Sequence, residues 1–170
     1  SFLDYQDMSA KHAMDKKNIF IQNFVVGCTT AVNRALARKV FSANMQGENI
    51  AMHDWWCALV ARAFGSIYFD DVKTLKYRQH SNNVLGAQPN TIVRFYNSFT
   101  SGVGIERVRK FRNVVSKQSE NFYECYKSEL PEDINRSLKL IVCGIGQDAN
   151  VFDLMKCFSD GLYMQGFKRN

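Results

Sequence analysis

The run HDWWCALVARAF, from His53 to Phe64, limits the fold more than any other part of the chain. After Asp54 its only charge is Arg62, and Trp55, Trp56, Cys57, Ala58, Leu59 and Val60 follow one another without a polar break. A helix that is apolar nearly all round must be packed on most sides by its own protein. At 170 residues, 46% hydrophobic and 22% charged, the chain is long enough to build one domain around it. His53 and Asp54 are expensive to desolvate, so they mark the end at which this buried element reaches the surface.

The flanking segments supply its neighbours. IFIQNFVV, Ile19–Val26, is rich in β-branched and aromatic residues and predicts a strand that turns at Gly27. Thr29 or Thr30 is then expected to cap a helix with Val32, Leu36 and Val40 on one face. Gly65 can close the helix over 54–64. SIYFDD and KTLKYRQH predict two further strands around a turn near Asp71 and Lys73, so residues 1–87 read as a mixed α/β region.

From Pro89 the pattern is helical, and residues 88–170 read as a second region. One helix is expected over Asn90–Phe99, and a longer one places Ile105, Val108, Phe111, Val115, Phe122 and Cys125 at helical spacing. Pro131, Glu132 and Asp133 suit the start of the next, with Ile134, Leu138 and Ile141 on its apolar face and Gly144 as its stop. Asp148 is expected to cap the last, which runs to Gly161.

Five cysteines without a CxxC pair, and no apolar run near the roughly 18–20 residues of a membrane span, point to reduced, buried thiols and a cytoplasmic protein. The chain opens on Ser1 rather than Met, which suggests a piece of something longer. Its net charge is +6, and between 94 and 117 Arg94, Arg107, Arg109, Lys110, Arg112 and Lys117 face only Glu106. Such a stretch is a solvated helix face or a surface for a phosphate-rich partner.

Four polar clusters fall at predicted element ends: Gly27-Cys28-Thr29-Thr30, His53-Asp54, Asp70-Asp71, and Tyr77-Arg78-Gln79-His80 before Asn82-Asn83. A carboxylate in a first helical turn is stabilised by the positive helix end, and an ionised Asp54 can take a proton from a hydroxyl. Arg78 offers a fixed fork to a phosphate, and His80 a ring nitrogen to a metal. Each residue alone also has a plain structural role: Asp54 as a helix cap, His80 as a hydrogen-bonded histidine, Asp70-Asp71 as a turn. Trp55 and Trp56 serve equally as core or as pocket wall.

Taken in order, NFVVGCTTAVNRAL, MHDWWCALVARAFGSIYFDD and LKYRQHSNNVLGA resemble the second half of the catalytic domain of family 2 glycosyltransferases. The likeness is strongest to bacterial rhamnosyltransferase-like members that build cell-surface polysaccharide, and it covers residues 1–87 well and the helical tail loosely. It implies the acceptor-side half of a GT-A fold with a helical C-terminal extension. It also implies inverting transfer of a sugar, of the rhamnose kind, from a nucleotide-diphosphate donor to a glycan or lipid-linked acceptor. In that reading Asp54 is the general base, and Gly27, Cys28, Thr29, His53, Trp55 and Trp56 line the acceptor side. Arg78 and His80 meet the donor diphosphate, with His80 completing a magnesium or manganese site. The partners implied are the nucleotide sugar, the acceptor and the cytoplasmic membrane face; nucleic acid is not among them.

One departure limits the resemblance. The family's nucleotide-binding half ends in Asp-x-Asp, and neither that motif nor a Gly-rich phosphate loop occurs here. The chain is therefore expected to be the acceptor-side and C-terminal portion of such an enzyme, inactive and metal-free by itself. Strand edges left unpaired by the missing N-terminal half offer a second copy a route to a homodimer. Three rivals stand beside it: a non-catalytic helical module for anions or proteins, an HD-type metal-dependent phosphohydrolase, and a nucleophile formed by Cys57 with His53.

Overall fold

The structure, a computed structural model, describes residues 17–43, 50–72, 74–76, 103–145 and 151–162. The described residues form five α-helices: α1 (Arg34–Ser42), α2 (His53–Phe64), α3 (Val103–Tyr126), α4 (Glu132–Ile145) and α5 (Val151–Ser159). Two 3-10 turns precede them, Asn18–Phe20 and Gly27–Thr29. No strand and no sheet occur among the described residues. The expectation of an α/β, GT-A-type half is corrected on this point: what is described is helical.

Backbone pairing explains the change. A strand satisfies its amides only against a neighbour, and Ile19–Val26 has none among the described residues. The chain coils locally instead: the amides of Phe20, Ile21 and Gln22 donate to Lys17 O, Asn18 O and Asn18 O at 3.0, 3.1 and 2.9 Å. This buries Ile19, Phe20 and Ile21 together, which a strand covered on only one face cannot do. Residues 66–72 and 74–76, also expected to be strands, are irregular and leave Tyr68, Val72 and Leu75 exposed.

The cap of α1 is Asn33, whose Oδ1 accepts from Leu36 N at 2.8 Å. The threonines proposed for that task are engaged elsewhere: both hydroxyls, of Thr29 and Thr30, donate to Val26 O. In α2 the amide of Gly65 donates to Ala61 O at 2.9 Å and ends the helix as expected. In α3, Val115, Gln118, Ser119, Phe122 and Tyr126 are buried while Lys117, Glu120 and Glu124 are exposed. Pro131 precedes α4 and accepts from Asn135 N at 2.9 Å. Gly144 does not stop that helix; it is buried within it. After α5, Gly161 takes φ 81° while Leu162 N donates to Cys157 O, a left-handed closure that favours glycine. The helix expected at Asn90–Phe99 and the cap at Asp148 lie outside the described residues.

α2 packs against α1 and the first 3-10 turn, and α3, α4 and α5 pack in succession. An aromatic chain joins them in one core. Phe122 stands edge-on to Phe20 and Trp56, with ring centres 5.8 and 5.3 Å apart, and Tyr126 lies 4.9 Å from Phe122. Polar ties follow the same seam: Ala51 N donates to Gln118 Oε1, Tyr126 Oη to Lys39 O, and Lys17 Nζ pairs with Asp160 Oδ2. Among the described residues no helix is long and apolar enough to cross a membrane.

Candidate functional site

The site is built where α2 begins. Its N-cap, Met52, has extended backbone and makes no side-chain cap bond. Asp54 is thus not the cap. It lies in the first turn, half-buried, with Oδ1 accepting from Trp55 N at 2.7 Å. That bond fixes one carboxylate oxygen. The other is directed at the Gly27 turn: a Cβ placed on Gly27 would lie 3.4 Å from Asp54 Oδ2 and 3.0 Å from His53 Nε2.

Two clusters far apart in sequence therefore meet. Asn23 helps to set the turn: its Oδ1 accepts from Val25 N at 2.8 Å, and its Nδ2 reaches toward Met52 Sδ at 3.9 Å. Cys28 and Thr29 follow Gly27 and are exposed, as is His53. The result is a half-buried carboxylate with one anchored oxygen, an exposed imidazole beside it and the Gly27 turn close against both. Such an arrangement can accept a proton from a hydroxyl brought within about 2.6–3.2 Å.

Trp55 and Trp56 are placed differently. Both are enclosed, 2% and 1% exposed. Trp55 Nε1 donates to Ile19 O, and the Trp56 ring packs on Phe122. They form the floor that holds α2 rather than an open wall. Arg78 and His80 lie outside the described residues. Asp70 Oδ1 accepts from Val72 N at 2.9 Å, the turn role its sequence suggests.

Sequence reasoning missed Gln118. It is buried on α3, and its Oε1 accepts from Ala51 N at 3.0 Å, steadying the loop just before His53. Its signal was a glutamine at core spacing between Val115 and Phe122.

Of the five cysteines only Cys157 is buried, and Cys28 and Cys143 are exposed, which corrects the expectation of buried thiols; the chemistry of Cys57 bears on one of the rivals. Burial pushes its thiol up, and the negative charge of Asp54 pushes it further. A thiol that holds its proton is a poor nucleophile, which counts against the Cys57–His53 pair. No group of three or more His, Cys, Asp or Glu side chains converges among the described residues. Of the basic stretch, Arg109, Lys110 and Lys117 are exposed, Lys110 pairs with Glu106, and Arg112 Nε donates to Ile145 O.

No protein-family model matches the chain, and no curated protein and no solved structure matches it.

Proposed function

We propose that this chain is the acceptor-side portion of an inverting glycosyltransferase, with Asp54 as the base that deprotonates the acceptor hydroxyl. The observation that supports it is the contact of Gly27 with His53 and Asp54, because these are the residues that the family resemblance assigns to one side of one cleft. The support is local. It rests on this convergence and on the order of the motifs, and the helical architecture adds nothing to it.

Asp54 Oδ1 is held by the backbone, so Oδ2 is left to face an incoming alcohol. As the hydroxyl oxygen attacks the anomeric carbon, its proton passes to Oδ2 and the nucleotide diphosphate leaves from the opposite face. His53 and the Gly27–Thr29 turn position the acceptor. Donor-binding groups, and a divalent metal bound near His80, belong to the complete enzyme; a metal there would neutralise charge on the leaving diphosphate.

The deciding experiment is Asp54→Asn in the enzyme that carries this chain. Sugar transfer is expected to fall by about 10²–10⁴-fold, the usual contribution of a general base, with helical content unchanged. Transfer retained within a few-fold of the parent overturns the assignment.

A further inference from the structure

We propose that the cleft between α4 and α5 binds a phosphate-bearing small molecule. It is an open groove of about 320 Å³, lined by Glu132, Arg136, Lys139, Leu140 and Cys143 on α4 and by Lys156 on α5. None of these belongs to the Gly27–Asp54 cluster, so the inference stands whether or not the chain transfers sugar.

Charge comes first. Three cations, Arg136, Lys139 and Lys156, and one carboxylate, Glu132, border a cleft whose own surface is mostly apolar. Arg136 and Lys139, three apart, share a face of α4, and Lys156 closes from the other helix. No carboxylate pairs with Arg136 among the described residues. Aromatic rings hold the two lysines: Lys139 Nζ lies 5.9 Å from the centre of Tyr123, and Lys156 Nζ lies 4.5 Å from that of Phe152. Ammonium groups restrained in this way lose less freedom when an anion arrives.

Shape narrows the ligand. The volume is at the small end of the ~300–1,000 Å³ typical of small-molecule sites. It has room for one or two phosphates on a short carbon skeleton. The guanidinium fork of Arg136 matches paired phosphate oxygens, the lysines act as point charges, and Leu140 takes the carbon part.

Cys143 supplies the test, because it is an exposed thiol on the cleft wall, while Cys28 is exposed and lies outside it. The full chain is alkylated with neutral iodoacetamide, with or without pyrophosphate, at ionic strength matched by sodium chloride. Each cysteine is read separately by mass spectrometry. Pyrophosphate is expected to slow Cys143 several-fold and leave Cys28 unchanged. In Arg136→Ala/Lys139→Ala the concentration for half-protection rises about ten-fold or more, the loss of charge-assisted contacts. Lys117→Ala, an exposed cation elsewhere, leaves protection intact. Circular dichroism checks the fold, and Lys156→Gln repeats the test from the opposite wall. The proposal is overturned if both thiols slow together, if neither slows at millimolar pyrophosphate, or if the cleft variants keep full protection.

Discussion

Gly27 lies against the imidazole of His53, so close that a Cβ there would meet Nε2 at 3.0 Å. The neighbour is the tip of an exposed side chain, and it can rotate away. Gly27→Ala is therefore expected to change stability by less than about 1 kcal/mol while moving His53. The His53 ring proton shifts in NMR spectra report the movement, and urea denaturation reports the cost. Unchanged shifts would show that the two residues do not touch.

Trp55 and Trp56 carry stability. Trp55→Phe removes the indole bond to Ile19 O and leaves space, and is expected to cost about 2–3 kcal/mol. Trp56→Ala opens a void against Phe122 worth about 3–5 kcal/mol. Asp54→Asn, at the edge of the same helix, is expected to stay within about 1 kcal/mol. Urea midpoints rank the three. Equal losses would mean that the acid is part of the core.

This division was only partly legible in the sequence. The helical spacing of Val115, Phe122 and Cys125, the Pro131 start and the Gly161 close gave helices that exist, because those signals act within one turn of chain. The strands at Ile19–Val26 and 66–72 did not follow from their composition. Valine, isoleucine and aromatic side chains suit a pleated surface, but a strand also needs a neighbour, and pairing is not written in a local stretch. The cap was misplaced for a related reason: Asn33 competes with Thr29 and Thr30, and only the turn at Val26 shows that both threonine hydroxyls are already engaged. At the site, motif order singled out Gly27, His53 and Asp54 together, whereas the burial of Trp56 depended on Phe122 of α3, far along the chain.

Tyr126 makes stability depend on alkaline pH. Burial in the aromatic core pushes its hydroxyl from the usual 10.0 up to about 12. The folded state therefore holds the proton more tightly than the unfolded chain. The stabilisation is complete below pH 10 and fades as pH rises from 10 through 12, in total about 3 kcal/mol. Tyr126→Phe should lose about 1 kcal/mol at neutral pH with the bond to Lys39 O, and flatten this decline. Denaturation between pH 8 and 12 for both proteins checks the sign.

Asp160 ties the far ends of the described fold. Its Oδ2 accepts from Lys17 Nζ at 2.8 Å, and Ser137 Oγ lies 3.3 Å away. The ion pair is partly shielded, at 27% and 18% side-chain exposure, so Asp160→Asn is expected to cost about 1 kcal/mol. Salt should destabilise the parent more than the variant. Equal salt slopes would assign the tie to packing alone.

The charge on Asp54 can be read through Cys57. The two lie three apart on α2, and after burial the Asp54 carboxylate is what raises the Cys57 thiol. Asp54→Asn removes that charge and leaves the burial. The alkylation rate of Cys57 against pH should then turn upward at lower pH than in the parent, and Cys57 should react faster near neutrality. Cys143, exposed and on α4, serves as the reference. If the profile does not move, no negative charge stands at the start of α2. Asp54 then cannot take a proton from a sugar hydroxyl, whatever the transfer assay reports.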